Sequence, residues 1–177
     1  MKASRYPLVP RVLHWLMAAI IIPAWTLGFV AGRILPASAS GSRHLLLGVH
    51  REIASSIVIL IVLRLAWRAT HRPPALPDCV PEDQRVAARA LQCVMYLLML
   101  TTPLTGWLMS SAYGKTVPVL WVGHLPALIG SSELAAPVIG VAHQFSAWAL
   151  GVLMFGHIIA ALLHRFGRRD SVLDMML

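Results

Sequence analysis

Lipid is a costly place for histidine, yet the apolar segment HQFSAWALGVLMFGHIIAALLH, residues 143–164, carries three. His143 and His157 lie 14 residues apart, almost four helical turns. They therefore share a helix face to within about 40° and stand about 21 Å apart along it. His164 continues the stripe about 10 Å beyond His157. His14 and His50 fall in or beside two other apolar segments. Ionisable side chains inside a membrane span point into the protein and are functional-site candidates. A lone histidine can simply bond a neighbouring helix, but four at matched depths ask for another explanation.

Depth sorts them. His50 and His143 lie near the end away from the chain termini, and His14 and His157 near the other, which gives two pairs. A shared zinc ion is excluded between His143 and His157, because zinc–nitrogen bonds are only about 2 Å long. Separate ions would need further ligands. The spans hold no aspartate, their single glutamate, Glu52, points about 200° away from His50, and Cys93 stands alone. Two ligands per level suit a haem, whose porphyrin supplies the other four nitrogens. Two stacked b-type haems are thus expected, with His14, His50, His143 and His157 on iron. No C-x-x-C-H marks covalent c-type attachment.

The elements that must hold these residues are membrane helices. Of 177 residues, 58% are hydrophobic and 12% charged, and mean hydropathy is +0.71, far from the quarter-charged average of soluble domains. Spans are expected at about 12–32, 45–67, 90–109 and 138–164, each long enough for a core of about 30 Å. The second works if Arg51 and Glu52 sit at one interface and Arg64 snorkels to the other. The first begins like a secretion signal and reaches a small-residue ASA. Its apolar run of about 20 residues exceeds a signal peptide's, and it holds His14, Trp15 and Trp25, so it is read as a span. The expected fold is all-α: a transmembrane up-and-down four-helix bundle, one domain over residues 1–177. Pro23 and Pro103 are expected to kink their helices, and VPVLWVGHLPALIG, residues 117–130, to lie along the outer surface.

The net charge of +8 reports topology rather than nucleic-acid binding. Lys2, Arg5, Arg11, Arg64, Arg68, Arg72, Arg85, Arg89, Arg165, Arg168 and Arg169 gather at one end, against Arg33, Arg43, Arg51 and Lys115 at the other. By the positive-inside rule both termini are cytoplasmic. Cys79, in the inner loop, and Cys93, in a span, suggest no disulfide. Small residues along the fourth span, with Gly151 and Gly156, offer room for a flat macrocycle, or for ordinary helix packing.

The segments RVLHW, GVHREIASSIVILIVLRLAWRATHRPP, YLLMLTTPLTGWLMSSAYGK and AHQFSAWALGVLMFGHIIAALLHRFGRRDSVLDMM resemble, in order and over nearly the whole chain, the four-helix prokaryotic cytochrome b561 family. The resemblance implies a di-haem membrane cytochrome with axial ligands at His14, His50, His143 and His157, paired as depth suggests. Some family members are superoxide:ubiquinone oxidoreductases. A histidine at the place of His164 is associated there with the quinone pocket, where an imidazole can bond a carbonyl and deliver a proton. The bland alternative is that His164 reaches lipid headgroups. Ala54 stands where a glycine is expected, and Asp174 where an arginine is usual, which threatens a polar contact at the inner surface.

Bis-histidine iron has no open position, so electron transfer rather than oxygen activation is expected. One reading is an oxidoreductase of the bacterial inner membrane taking electrons from superoxide and reducing ubiquinone. The other is a cytochrome b subunit linking a periplasmic electron-transfer protein to the quinone pool. Arg33, Arg43, His44, Arg51 and Lys115 form a sparse positive outer rim that can steer a small anion or neutralise haem propionates. Arg11, Arg64 and Arg165 can meet propionates or headgroups at the inner face. His44 and His71 read as interface or loop residues, and His124 has no assigned role.

Overall fold

The computed structural model describes residues 5–74 and 80–177; Lys2, Cys79 and the middle of the proline-rich loop lie outside them. Helix α1, Leu8–Phe29, continues into a π-helical turn, Val30–Ile34. Helices α2, Ser40–Ala54, and α3, Ser56–Thr70, form one span interrupted at Ser55. Helix α4 is Glu82–Ala112. A short antiparallel hairpin follows, β1 Val117–Val119 paired with β2 Gly123–Leu125. Helix α5, Ala135–Leu162, ends in a second π turn, Leu163–Arg168, and a 3-10 turn, Leu173–Met175.

Among the described residues, four helices are long and apolar enough to cross a membrane: Leu8–Ile34, Ser40–Thr70, Glu82–Ala112 and Ala135–Arg168. The chain is thus a mostly helical membrane protein, as its hydropathy indicates. Each span outruns its apolar stretch at both ends, because flanking polar residues carry the helical hydrogen bonds onward. The hairpin is the one departure from an all-helical chain among the described residues, and it falls where an irregular surface segment was expected.

Local signals explain the boundaries. Pro81 precedes α4, and Glu82 and Asp83 in its first turn suit the positive end of the helix dipole. Pro23 and Pro103 sit inside α1 and α4 without ending them. The break in the second span has no proline. There the hydroxyls of Ser55 and Ser56 donate back to the carbonyls of Glu52 and Ile53 at 3.0 and 2.6 Å, competing with the regular ladder.

Packing follows chain order: α1 against α2 and α3, α3 against α4, and α4 against α5. The chain ends meet, since Tyr6 N–H donates to Met175 O at 3.0 Å and Trp15 Nε1 to Met176 O at 2.8 Å. The bundle therefore has a terminal end and a hairpin end. From α5 into the π turn that follows it, one seven-residue stripe, Val138, Phe145, Val152, Ile159 and Phe166, is exposed and suits lipid, while Leu150 and Met154 are buried. Those two pack with Met17, Ile21, Ala24, Ile57 and Ile61 into the central core.

Candidate functional site: two stacked histidine pairs

The buried side of α5 carries His143 and His157, and each meets a histidine from another span. At the hairpin end the His50 and His143 ring centres are 6.4 Å apart with planes inclined at 71°. At the terminal end His14 and His157 stand 6.2 Å apart at 73°. Two imidazoles gripping one iron through bonds of about 2 Å, each ring centre about 1.2 Å behind its nitrogen, would have centres about 6.3 Å apart. Both pairs match that separation. Among the described residues no group of three histidine, cysteine or acidic side chains comes together, so each level offers two protein ligands, the number a porphyrin iron leaves open.

The hairpin-end rings are held from behind. His50 Nδ1 lies 2.7 Å from Ala24 O, and His143 Nδ1 lies 2.9 Å from Thr102 O. A carbonyl only accepts, so Nδ1 carries the proton in both rings and each Nε2 lone pair is free for a metal. Glycine makes room for this. A Cβ on Gly28 would sit 3.2 Å from His50 Cε1, and one on Gly106 3.0 Å from His143 Cε1. Gly28 and Gly106 were not singled out from sequence, because their role depends on helices other than their own.

The glycines that were singled out do something else. A Cβ on Gly151 would fall 2.4 Å from Trp25 Nε1, and that indole donates to Ala147 O at 2.8 Å. Gly151 therefore admits a tryptophan, and Gly156 faces open space; neither borders the histidine cavities. Close helix packing is the correct reading of Gly151, and Gly156 serves neither a cavity nor a close contact.

Each pair opens on a cavity, about 430 Å³ at the hairpin end and about 470 Å³ at the terminal end. Ile21, Met99 and Leu150 line both and form an apolar septum between them. Arg33, His44, Arg51 and Lys115 line the first cavity, Arg64, Arg68 and Arg72 the second, and among the described residues no carboxylate lines either. Positive charge around a mostly apolar cavity suits the propionates of a haem. Arg43 borders neither cavity.

The Arg64 side chain, expected at an interface, turns toward neighbouring helices. Its Nε donates to Tyr96 Oη at 3.1 Å and its Nη2 lies 3.3 Å from His14 Nδ1, so polar partners inside the bundle draw it in. Arg165 is also occupied: its Nη1 reaches both Asp174 oxygens, at 2.8 and 3.0 Å. Asp174 thus gains a contact at the position where one seemed at risk. Arg11 keeps a buried Nε without a partner among the described residues. Glu52 turns from His50 as expected, and its carboxylate accepts from Trp121 N–H at 2.7 Å, tying the hairpin to α2.

His164 lies in the second π turn, with Nδ1 2.5 Å from Asp170 Oδ2. It is not among the residues lining the terminal-end cavity, although Ala161 and Leu162 of the preceding turn are. Burial alone would raise the Asp170 carboxyl. The bonds from His164 and Val172 N–H, with the charges of His164 and Arg168, outweigh it and hold the group below its usual 3.8. Tyr6, unremarked in the sequence, lines the same cavity. Burial raises its phenol above 10.0 against the lowering charge of Arg68, so it remains a neutral O–H donor. His71 stacks on Trp67 at 3.8 Å beside this cavity, and His124 pairs across the hairpin with Pro118.

A membrane-spanning bundle whose helices present paired imidazoles to largely apolar cavities is the architecture of a b-type cytochrome. Comparison with known proteins narrows the class. Residues 5–177 match the family model described as prokaryotic cytochrome b561, and the chain belongs to that family. It is similar to cytochrome b561 homolog 2 of Escherichia coli (strain K12), with 32% identity over 175 residues, covering 98% of this chain and 92% of that protein. The protein is accordingly a transmembrane haem b cytochrome of electron transfer.

Proposed function

We propose that this cytochrome holds two haems b, one between His50 and His143 and one between His14 and His157, and acts as a superoxide:ubiquinone oxidoreductase of the bacterial inner membrane. The observation that carries the two-haem reading is the pair of ring separations, 6.4 and 6.2 Å, at levels set by the 14 residues between His143 and His157 on one helix. The arginine excess at the terminal end supports an orientation with both termini in the cytoplasm. The hairpin end then faces the periplasm.

Each residue group has a physical task. Arg33, Arg51 and Lys115 at the hairpin-end cavity attract a small anion and raise its encounter rate. Each histidine pair would hold one haem by two imidazoles, and the bound haem would supply one-electron relay. Ile21, Met99 and Leu150 exclude water between the stations. At the terminal end Tyr6, in the cavity lining, offers a donor to a quinone carbonyl, and His164, held by Asp170 outside that lining, supplies a proton from its flank. The balance is two superoxide anions, one quinone and two protons giving two dioxygen molecules and one quinol.

The test supplies the purified holoprotein with a superoxide source and a soluble ubiquinone. Quinol formation well above protein-free controls supports the oxidoreductase. Quinol formation no faster than controls, with both haems present, identifies the chain instead as an electron carrier between a periplasmic redox protein and the quinone pool.

A further inference from the structure

The two histidine pairs differ in what stands behind them. At the hairpin end both rings give their Nδ1 protons to backbone carbonyls, at 2.7 and 2.9 Å. Such bonds make an imidazole a more basic ligand, and a more basic ligand favours the higher charge on iron. At the terminal end neither His14 nor His157 has a carbonyl partner among the described residues; beside the His14 ring stands the Arg64 guanidinium, 3.3 Å from Nδ1. An imidazole bound to iron through Nε2 keeps its proton on Nδ1, so a guanidinium there is a charge beside the ring rather than a bond to it.

We propose that Arg64 sets the redox order of the two stations: its charge beside His14 makes the terminal-end haem the easier of the two to reduce. The inference rests on the two-haem reading above. Arg64 is placed for this by contacts across three spans. It lies on α3, its Nε donates to Tyr96 Oη on α4 at 3.1 Å, its guanidinium carbon stands 5.7 Å from the Tyr96 ring centre, and it faces His14 on α1. Among the described residues no carboxylate lines either cavity. Arg33, Arg51 and Lys115 stand at the hairpin-end one and Arg68 and Arg72 beside Arg64 at the terminal-end one, so what sets the two apart is the closeness of the Arg64 guanidinium to the His14 ring. In a partly buried, low-dielectric setting a positive charge acts strongly on a nearby iron and disfavours its oxidised form. Electrons delivered at the hairpin end then run downhill toward the terminal end. Arg64 is a positioning residue in this sense, acting on iron through its field and through His14.

The test is spectropotentiometry of the purified holoprotein, after haem counting by pyridine haemochrome. Wild type should show two one-electron components, and His157→Ala should remove the higher one. Arg64→Met should lower the higher component so that its reduced-to-oxidised ratio at fixed potential falls about tenfold, about 59 mV for one electron, with the lower component unmoved. Arg64→Lys should keep most of the wild-type position. Arg64→Gln, a milder packing change, serves as the second variant if Arg64→Met does not load haem. Two haems with neither component shifted by Arg64→Met or Arg64→Gln overturn the assignment of Arg64 alone, as does loss of the lower component in His157→Ala. Loss of one haem with the other component unmoved would make Arg64 a propionate anchor and also overturn it. One haem per wild-type chain sinks the two-haem reading itself.

Discussion

Gly106 sets the position of the His143 ring: a Cβ there would stand 3.0 Å from His143 Cε1 and 3.2 Å from its Nδ1. The ring cannot retreat without losing its bond to Thr102 O at 2.9 Å. Gly106→Val should therefore push the imidazole off the iron axis and cost the hairpin-end haem. Pyridine haemochrome should fall from two haems per chain toward one, and full retention would refute the glycine's role.

Removing a ligand outright gives the companion experiment. His50→Ala and His157→Ala should each lose about one haem, because each empties a different level. A variant that lost both haems would show that the two stations do not load independently.

Gly151 tests packing rather than haem. A methyl group would overlap the Trp25 indole, 2.4 Å away, whose Nε1 is committed to Ala147 O. Gly151→Ala should cost about 1–3 kcal/mol, typical of inserting a carbon into a tight interface. Thermal melting should register it. An unchanged melting temperature would contradict the close helix approach.

The His164–Asp170 pair predicts a pH dependence. The Asp170 carboxyl is held below 3.8 in the folded protein. Its stabilisation is therefore complete above that value and is lost as pH falls through the depressed folded value. Asp170→Asn should be less stable than wild type near neutrality by about 1.5 kcal/mol, the scale of a hydrogen bond to a charged group. The gap should close on acidification below about pH 4. Melting temperatures of the two proteins across that range decide it, and a gap that widens in acid rules the linkage out.

Asp174 should matter little to stability. Its pairing with Arg165 is 38% and 46% exposed on the two side chains, so solvent screens it. Asp174→Ala should cost well under about 1 kcal/mol. A larger loss in chemical denaturation would mean that the pair closes the end of the bundle.

Sequence alone determined which histidines meet and how far apart the two pairs lie. Helical periodicity is a local property, so 14 residues between His143 and His157 place two stations on one face whatever surrounds them, and hydropathy forces that face inward. Depth then assigned His14 and His50 to their partners, because span boundaries measure height in the bundle. What stands behind each ring was decided by tertiary packing. Gly28 and Gly106 serve histidines on other helices, Gly151 serves Trp25, Arg64 turns inward to Tyr96 and His14, and His164 finds Asp170. Those relations depend on how each helix is rotated about its own axis against its neighbours. That rotation is fixed by side chains meeting across interfaces, and no single segment contains it.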